Sequence, residues 1–549
     1  MKSRRFCSAC CLHCLAARCL FVGVAVTVSG QETARLFLKG PYLQGPGTDT
    51  MTIKWEAPIN TTGVVRYGLN GATDRESRQE LPHPLVAESS AFVTNLTETG
   101  ETSVTRTTTT NSVYLYEVTL LNLRPNSVYT YSAQMGATRT QPKQFKTFAI
   151  DQPKVTFIAY GDARTNPKAH AAVAANFKRY SPDFILHTGD LVANGRVYDV
   201  WGREFFGPLA NVLDEIPMLP SIGNHESDGK HYLFYLQMPG KARWYSSDIG
   251  PVHLLALDFH YEKETDEQFA FAREDLMKSK APWKIVYLHY PVFNIGGHAT
   301  GWGHRTYLPL FHKAKVDLVV TGHSHIYERF RPIAGESGDA DWPITHITTG
   351  GGGAPLAKSY PHPALVANYA TNHFVLFEAT ATTLKGRAIA TNNAVLDTFE
   401  LKKHNGRLSA AYLAQVYPEE TLKLAYEAVP SLTGSLASAP AADSPAQVKF
   451  TIRPLKSIER GVPLQISLMP ASARSFELED GPLRLTTPAS TESNKVVWAR
   501  VRVRDGNGAA PLMFQGSLDV GKIAAVAYGQ RCQVSDIAAD AARALGNGK

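Results

Sequence analysis

The chain has 549 residues, 44% of them hydrophobic and 19% charged, so it can form roughly three or four folded domains and lacks the composition of a disordered protein. The formal net charge is +7 and falls to +3 without residues 1–30, which carry four basic residues and no acidic ones. This modest charge excludes the strongly basic surface typical of nucleic-acid-binding proteins, so we expect no nucleic-acid partner.

The first thirty residues have the pattern of a signal peptide. Lysine or arginine stands at positions 2, 4 and 5, an apolar run extends from Leu20 to Val28, and Ser29-Gly30 offers small residues for cleavage. A membrane anchor is the alternative, but this run is much shorter than the roughly 20 residues of a spanning helix. Five of the six cysteines lie in this segment, so the cleaved chain would keep only Cys532. We therefore expect a secreted or periplasmic protein with no stable membrane span after cleavage.

Residues 36–150 show short runs rich in Val, Thr, Tyr and Trp that are separated by Gly, Pro and Asn. Runs of this kind predict an antiparallel β-sandwich. Asp151-Gln152-Pro153 then indicates a linker.

From Lys154 the pattern becomes strand, loop, helix and strand, which predicts a central α/β domain over residues 154–402. Several apolar runs of this region end directly before side chains that can bind metals. In chain order these side chains are Asp162, Asp190, Asn224, His225, His289, His323 and His325. Because ligands bind at the carboxyl ends of the strands in open α/β sheets, we expect these residues to form one site.

The last part of the chain changes pattern again. Residues 405–445 are predicted to contain an amphipathic helix over 409–428 and a linker rich in Ala, Ser and Pro. Residues 446–549 alternate in the manner of strands and predict a small β-rich C-terminal domain. The pattern assigns no function to it.

The mixture of carboxylate, imidazole and amide ligands favours a centre of two metal ions. A carboxylate between two cations reduces their repulsion and fixes their spacing, and Asp190 is the candidate for that position. Mixed nitrogen and oxygen ligands suit Fe, Mn or Zn better than Ca or Mg. Since a water between two such ions becomes a nucleophile near neutral pH, the implied reaction is phosphoester hydrolysis.

The ordered blocks Gly161-Asp162, Gly189-Asp190, Gly223-Asn224-His225-Glu226, Val286-Tyr287-Leu288-His289 and Gly322-His323-Ser324-His325 resemble those of the calcineurin-like metallophosphoesterases. The purple acid phosphatase branch is the most similar. Gly40-Pro41-Tyr42-Leu43-Gln44 is similar to a segment of that branch's N-terminal fibronectin type III-like domain. The resemblance covers roughly residues 36–402 and implies a central domain with four αββα layers.

The resemblance also implies roles for individual residues. One metal would be bound by Asp162 and His325, the other by Asn224, His289 and His323, with Asp190 bridging the two ions. His225 would face the substrate as a proton donor to the leaving group or a hydrogen-bond donor to the phosphate. His298 resembles the second substrate-facing histidine of the branch, although His304 lies close by in the same Gly-rich loop.

Two positions depart from the family pattern. In purple acid phosphatases a tyrosine stands three residues after the second-block aspartate and colours the protein, and here that position is Ala193. Many other metallophosphoesterases have a histidine two residues after the first aspartate, and here that position is Arg164, which cannot act as a neutral ligand. Two roles are open for Arg164: a bidentate clamp on the substrate phosphate, or a salt bridge beside the ligands.

The sequence thus predicts an exported phosphatase that hydrolyses small phosphomonoesters through a metal-bound hydroxide. A phosphodiesterase on the same core is one alternative. The other is a non-catalytic surface-binding protein with a degenerate phosphatase fold.

Overall fold

The structure of the chain is a computed structural model. It describes residues 36–96, 102–240, 243–298, 300–334, 342–358, 364–418, 433–436, 445–452, 463–468, 476–486, 493, 495–504, 514–520, 523–527 and 533–534. The predicted signal peptide of residues 1–30 lies outside the described residues.

Two antiparallel sheets form the N-terminal part. The strand order of the first is Lys39–Gln44, Met51–Ala57, Thr102–Leu120 and His83–Leu96. The second has Arg75–Gln79, Gly63–Leu69, Val128–Met135 and Thr138–Arg139 in order, with Lys143–Lys146 also paired to Val128–Met135.

A shared core joins these two sheets. Trp55 and Tyr116 of the first sheet lie in one buried cluster with Val65 and Tyr131 of the second. The Trp55 and Tyr116 rings stack with their centroids 4.9 Å apart, a geometry that adds to the stabilisation from buried area. This part of the chain is the β-rich N-terminal domain that the sequence predicts.

Two seven-stranded sheets form the central domain. The order in the first is Met218–Pro220, Phe184–His187, Lys154–Tyr160, His373–Thr380, Thr383–Ala390, Val395–His404 and Arg407–Leu408. The order in the second is Tyr245–Ile249, Val252–Ala256, Trp283–Leu288, Leu318–Thr321, Thr345–Thr349, Tyr327–Phe330 and Leu365–Tyr369.

The central sheets pack face to face, with helices outside them. Alternate side chains of a strand point to opposite faces, and in the second sheet Ile285 and Tyr287 join the core that contains the first sheet. Val286 and Leu288 belong instead to a second core with residues of the helices Glu267–Lys278 and Tyr307–Lys313. The helix Pro167–Ala174 covers the first sheet through Val173. The four layers confirm the predicted fold class.

The remaining described helices are short. They are the α-helices Tyr198–Val200, Gly207–Leu209, Lys230–Tyr235 and Ala410–Leu413, the π-helix Trp201–Phe206, and the 3₁₀ turns Phe177–Tyr180 and Asn224–Glu226. In the part of the chain that the structure describes, none of the helices combines the length and the apolar composition that crossing a membrane requires.

The helix predicted over residues 409–428 is wrong in its described part, residues 409–418, and residues 419–428 lie outside the described residues. The helix is the single turn Ala410–Leu413, with the Ser409 hydroxyl accepting the Tyr412 N–H at its start. Tyr417–Pro418 then forms a short parallel pairing with Ile333–Ala334. A residue before proline avoids the helical conformation, so Pro418 disfavours a helix that continues through Tyr417.

Two further sheets are described after residue 430. One has the order Phe476–Leu478, Lys495–Val503, Pro445–Ile452, Thr433–Leu436 and Gln533–Val534. The other has the order Leu483–Thr486, Pro463–Leu468, Phe514–Val520 and Ile523–Ala527. The strand Thr433–Leu436 lies in the stretch that was predicted as a linker.

Candidate metal centre

The predicted ligands lie at the carboxyl ends of parallel strands in both central sheets. Lys154–Tyr160, Phe184–His187 and Met218–Pro220 run parallel and lead to Asp162, Asp190 and Asn224. Trp283–Leu288 and Leu318–Thr321 are parallel neighbours in the other sheet and lead to His289 and His323. Hydrogen bonds between the ends, such as Asp162 N to Gly189 O at 3.0 Å, hold this edge together.

Three of the predicted ligands have a left-handed backbone. The φ angles of Asp162, Asp190 and His323 are 57°, 57° and 65°. Such angles are uncommon outside glycine, and backbone strain of this kind clusters at functional sites. The chain turns here in very little space, because a Cβ on Gly161 would lie 2.0 Å from the Thr188 hydroxyl oxygen.

The first group of candidate ligands is Asp162, Asp190 and His325. One donor atom from each lies within 4.8 Å of the others, and all three residues are buried. Asp162 Oδ2 accepts the His323 N–H at 2.8 Å, whereas the buried Oδ1 has no hydrogen-bond partner and lies 3.5 Å from His325 Nε2. His325 Nδ1 donates to Pro355 O at 2.7 Å, which leaves the Nε2 lone pair facing the group.

The second group surrounds His289 Nε2. Asn224 Oδ1 lies 2.9 Å from it, His323 Nδ1 lies 3.2 Å from it and Asp190 Oδ1 lies 3.3 Å from it. His289 Nδ1 donates to Thr188 O at 2.8 Å, so Nε2 carries a lone pair. Burial and the neighbouring histidines lower the pKa of His323 to about 2, which keeps this ring neutral as a metal ligand must be.

Asp190 is shared by the two groups. Burial works to raise its pKa, but His289 and His225 hold the pKa of Asp190 below its usual value. Burial and the charge of Asp190 instead raise the pKa of Asp162. Two buried carboxylates, one of them with an oxygen that lacks a hydrogen-bond partner (Asp162 Oδ1), lie beside neutral imidazoles. Cations stabilise such an environment, so these residues fit two metal ions.

The two positions that depart from the family pattern also lie here. The Arg164 guanidinium contacts the first group through Asp190 Oδ2 at 3.1 Å and His325 Nε2 at 3.3 Å. Ala193 contributes backbone hydrogen bonds to the site and no side-chain ligand. Its carbonyl accepts from His225 Nδ1 at 2.7 Å, and its N–H donates to Glu204 at 2.8 Å.

Comparison with known families agrees with this geometry. Residues 156–327 match the family described as calcineurin-like phosphoesterase, and residues 39–147 match the N-terminal domain of purple acid phosphatases. The chain contains a calcineurin-like phosphoesterase domain preceded by a purple acid phosphatase N-terminal domain. This confirms the resemblance inferred from the sequence, and the matched domain supports a metal-dependent phosphoesterase.

Named relatives support the same assignment. Acid phosphatase type 7 of Mus musculus is 28% identical over 366 residues, which cover 57% of this chain and 76% of the relative. The Homo sapiens protein of that name is 28% identical over 360 residues, covering 57% and 77%. A purple acid phosphatase from yellow lupin (Lupinus luteus) seeds has a similar fold, with a TM-score of 0.53, 18% identity and coverage of 66% of this chain and 74% of the lupin chain.

His225 and His298 lie at the solvent side of the candidate site. His225 is partly exposed, and its Nε2 lies 3.8 Å from Asp190 Oδ2. The exposed His298 ring lies 5.1 Å from the His323 ring and 5.8 Å from the His325 ring between centroids. His304 instead packs on Phe293 and contacts Val292 O, so the structure brings His298 and not His304 to the ligands.

Sequence reasoning missed the carboxylates that hold the phosphoesterase loops. Glu226 accepts N–H groups from Gly223, Asp190, Leu191 and Val192. Its place in the Gly223-Asn224-His225-Glu226 block was a usable signal.

Two further glutamates support neighbouring loops. Glu328 accepts the N–H groups of Ile295 and Gly296 in the loop that carries His298. Glu204 accepts from Thr165 and Ala193. No feature of the sequence distinguishes Glu204 from an ordinary helical glutamate.

Proposed function

We propose that this protein is an exported phosphatase that hydrolyses phosphomonoesters at a centre of two transition-metal ions, Fe, Mn or Zn. The observation that carries the proposal is the pair of donor groups that share Asp190, one around His325 Nε2 and one around His289 Nε2. Their mixed nitrogen and oxygen donor sets favour transition metals over Ca or Mg. The names of the acid phosphatase relatives support the choice of monoesters.

The ligands divide between the two ions as the donor groups divide. Asp162 and His325 would hold the first ion, and Asn224, His289 and His323 the second, with Asp190 between them. When bound, two such ions supply an activated water and stabilise the charge on the phosphoryl oxygens. Because Ala193 has no phenolate, the chain lacks the source of the purple colour at this position.

His225 is placed to move a proton at Nε2. Its Nδ1 donates to the Ala193 carbonyl, so the ring orientation is fixed and Nε2 points toward Asp190 Oδ2 and the open side of the site. A protonated Nε2 would give its proton to the leaving oxygen of the ester, which otherwise departs as an alkoxide. The fixed ring supports this role, because proton transfer requires a defined geometry.

His298 and Arg164 complete the proposed substrate contacts. The His298 backbone N–H donates to the Ser324 hydroxyl at 3.0 Å, which fastens its loop between the two ligand histidines. The planar guanidinium of Arg164 matches the spacing of two phosphate oxygens. Both groups would bind the non-bridging oxygens of the substrate.

The test is removal and restoration of metals on the full chain. The protein is stripped with a chelator, dialysed, and assayed with p-nitrophenyl phosphate and with its bis-ester after addition of Mn, Zn or Fe. The proposal expects activity to vanish on stripping, to return with metal, and to favour the monoester. The variant His83→Ala serves as a control and should behave like wild type in this assay, because His83 is an exposed histidine of the N-terminal domain.

Two results would contradict parts of the proposal. Faster turnover of the bis-ester would replace the phosphatase with a phosphodiesterase on the same core. Absence of turnover for both esters at two bound metals per chain would favour the non-catalytic binding protein. Export is tested separately, by N-terminal sequencing of the mature protein from the producing cells and their medium.

A further inference from the structure

Arg164 occupies donor atoms that the first metal ion would need. Its Nε donates to Asp190 Oδ2 at 3.1 Å, and its Nη2 lies 3.3 Å from His325 Nε2. Asp190 and His325 both belong to the group that they form with Asp162. The arginine side chain is only 15% exposed, so it lies within the site and not above it.

The lone pairs of His325 make this contact exclusive. Nδ1 is committed as a donor to Pro355 O, so Nε2 has a single lone pair in the plane of the ring. That lone pair can accept the Arg164 N–H or bind a metal ion, but it cannot do both. The guanidinium keeps its protons in proteins and offers no lone pair of its own, so Arg164 cannot join the metal ligands.

The second group of ligands is free of this conflict. Asp190 divides its oxygens, since Oδ2 contacts Arg164 while Oδ1 accepts the His225 N–H at 2.9 Å and faces His289. Among the described residues, the side-chain hydrogen bonds of Arg164 reach Asp190, Thr165 and His325. The donors around His289 Nε2 are therefore available to a metal ion while Arg164 stays in place.

The backbone around Arg164 is held on both sides. Ala163 N donates to Asp190 O at 3.1 Å, and Thr165 N donates to Glu204 Oε2 at 3.1 Å. The guanidinium can therefore leave His325 by side-chain rotation, without movement of the loop. Arg164 Nη1 already contacts the Thr165 hydroxyl at 3.2 Å, on the exposed side of the side chain.

We infer that Arg164 and the first metal ion bind the same donor atoms in alternation, which makes the two metal sites unequal. This inference rests on the proposed dinuclear centre. The ion at Asn224, His289 and His323 binds first and tightly. The ion at Asp162 and His325 binds more weakly, because it must displace a cationic side chain from two ligand atoms, and its arrival frees the guanidinium for the substrate phosphate.

The experiment is a calorimetric titration of the stripped full chain with Mn²⁺ alone, without substrate. Wild type is expected to bind one ion tightly and a second ion more weakly. In Arg164→Ala the second ion should bind about 5- to 150-fold more tightly, the usual range of coupling between sites, with little change for the first. Arg164→Lys keeps a cation but loses the planar guanidinium. Its affinity for the second ion should lie between those of wild type and Arg164→Ala.

The control is Arg78→Gln, which removes an arginine from an exposed ion pair with Glu76 in the N-terminal domain. It should reproduce both wild-type affinities. Circular dichroism of each stripped variant checks that the fold is retained. The Mn²⁺ paramagnetic resonance spectrum gives an independent measurement, since wild type at one equivalent should show isolated ions before any spin-coupled pair.

Equal affinities of the two sites in wild type, unchanged in Arg164→Ala, would overturn the inference and leave the dinuclear centre standing. A weak second site in Arg164→Ala, as weak as in wild type, would also overturn it, because the weakness would then have another cause. Failure of both proteins to bind any Mn²⁺ or Zn²⁺ would overturn the proposed function together with the inference.

Discussion

Glu226→Gln measures how much one buried carboxylate stabilises the loops that carry the candidate ligands Asp190 and Asn224. Glu226 Oε2 accepts the N–H groups of Gly223 at 2.7 Å and Asp190 at 2.9 Å, and Oε1 accepts those of Leu191 at 2.8 Å and Val192 at 3.4 Å. Glutamine has nearly the same shape but only one acceptor oxygen. Whichever way the amide turns, its NH₂ group faces two backbone N–H donors.

The expected loss in the free energy of unfolding follows from those two unpaired N–H donors. A buried donor without an acceptor costs about 1–3 kcal/mol, so the substitution should lower the free energy of unfolding by about 2–6 kcal/mol. That is a large share of the roughly 5–15 kcal/mol that stabilises a typical protein. The affected N–H groups belong to Asp190 and to Gly223 beside Asn224, so metal affinity should fall together with stability.

The assay is guanidinium unfolding of the stripped protein, followed by tryptophan fluorescence. Trp201 is buried and donates to Gly195 O at 3.0 Å, so it reports on this region. Glu274→Gln, at an exposed position of the helix Glu267–Lys278, is the matched control and should keep the wild-type midpoint. A wild-type midpoint for Glu226→Gln would refute the reasoning, because it would mean that the four N–H groups do not depend on the carboxylate charge.

Three further predictions concern the ligands, the proton donor and acid stability. Asn224→Ala should lose about one of the two metal equivalents by elemental analysis and reduce turnover by several orders of magnitude, whereas full metal content would show that Asn224 is misassigned. His225→Ala should keep both metals and lose about 10²- to 10⁴-fold in kcat, and loss of metal would move His225 among the ligands. Burial lowers the pKa of His170 from 6.5 to about 4. The folded state therefore resists protonation that the unfolded state accepts, and up to about 3 kcal/mol of stability is lost as the pH falls from 6.5 to 4. Unfolding midpoints between pH 7 and 4 should fall further in wild type than in His170→Gln, and parallel curves would contradict the assignment.

The strand ends could be predicted from the sequence because two simple patterns coincide there. Apolar runs such as Val155 to Tyr160 mark buried strands, and a metal-capable side chain soon after the end of each one marks the edge where ligands bind. The same reasoning predicted the central α/β domain and the β-rich domains around it, whereas the four αββα layers were implied by the family resemblance. The sequence pattern also placed Asp162 and His289 at the same edge, although it contains no information on the distance between them.

The rest depends on contacts between distant parts of the chain. The sequence left two roles open for Arg164, and only the meeting of residues 164, 190 and 325 shows which donor atoms its guanidinium contacts. Glu204 is separated by 39 residues from Thr165, whose N–H it accepts, so no local pattern identifies it. The helix predicted over 409–428 is wrong at Tyr417–Pro418, since a residue before proline avoids the helical conformation.

The N-terminal domain supports the segments beside the candidate metal centre, because its contacts reach them. Glu56 is fully buried in the N-terminal domain and pairs with Lys39 at 2.5 Å. The same carboxylate accepts the hydroxyls of Tyr198 at 2.6 Å and Tyr235 at 2.7 Å, both from the phosphoesterase domain. A buried charge that loses one partner is costly, so separating the domains would leave Glu56 or the tyrosine hydroxyls unpaired.

The segments fastened in this way lie next to the ligands in the chain. The helix Lys230–Tyr235 follows Asn224 and His225, and His231 within it donates from Nδ1 to Gly195 O at 2.7 Å, two residues after Ala193. Ala193 in turn orients His225. Hydrogen bonds and the short stretch of chain between Ala193 and Gly195 therefore connect the N-terminal sheet with the proposed proton donor. The metal and kinetic measurements belong on the full chain for this reason, since removing residues 36–150 would expose the supports of His225 as well as the surface between the domains.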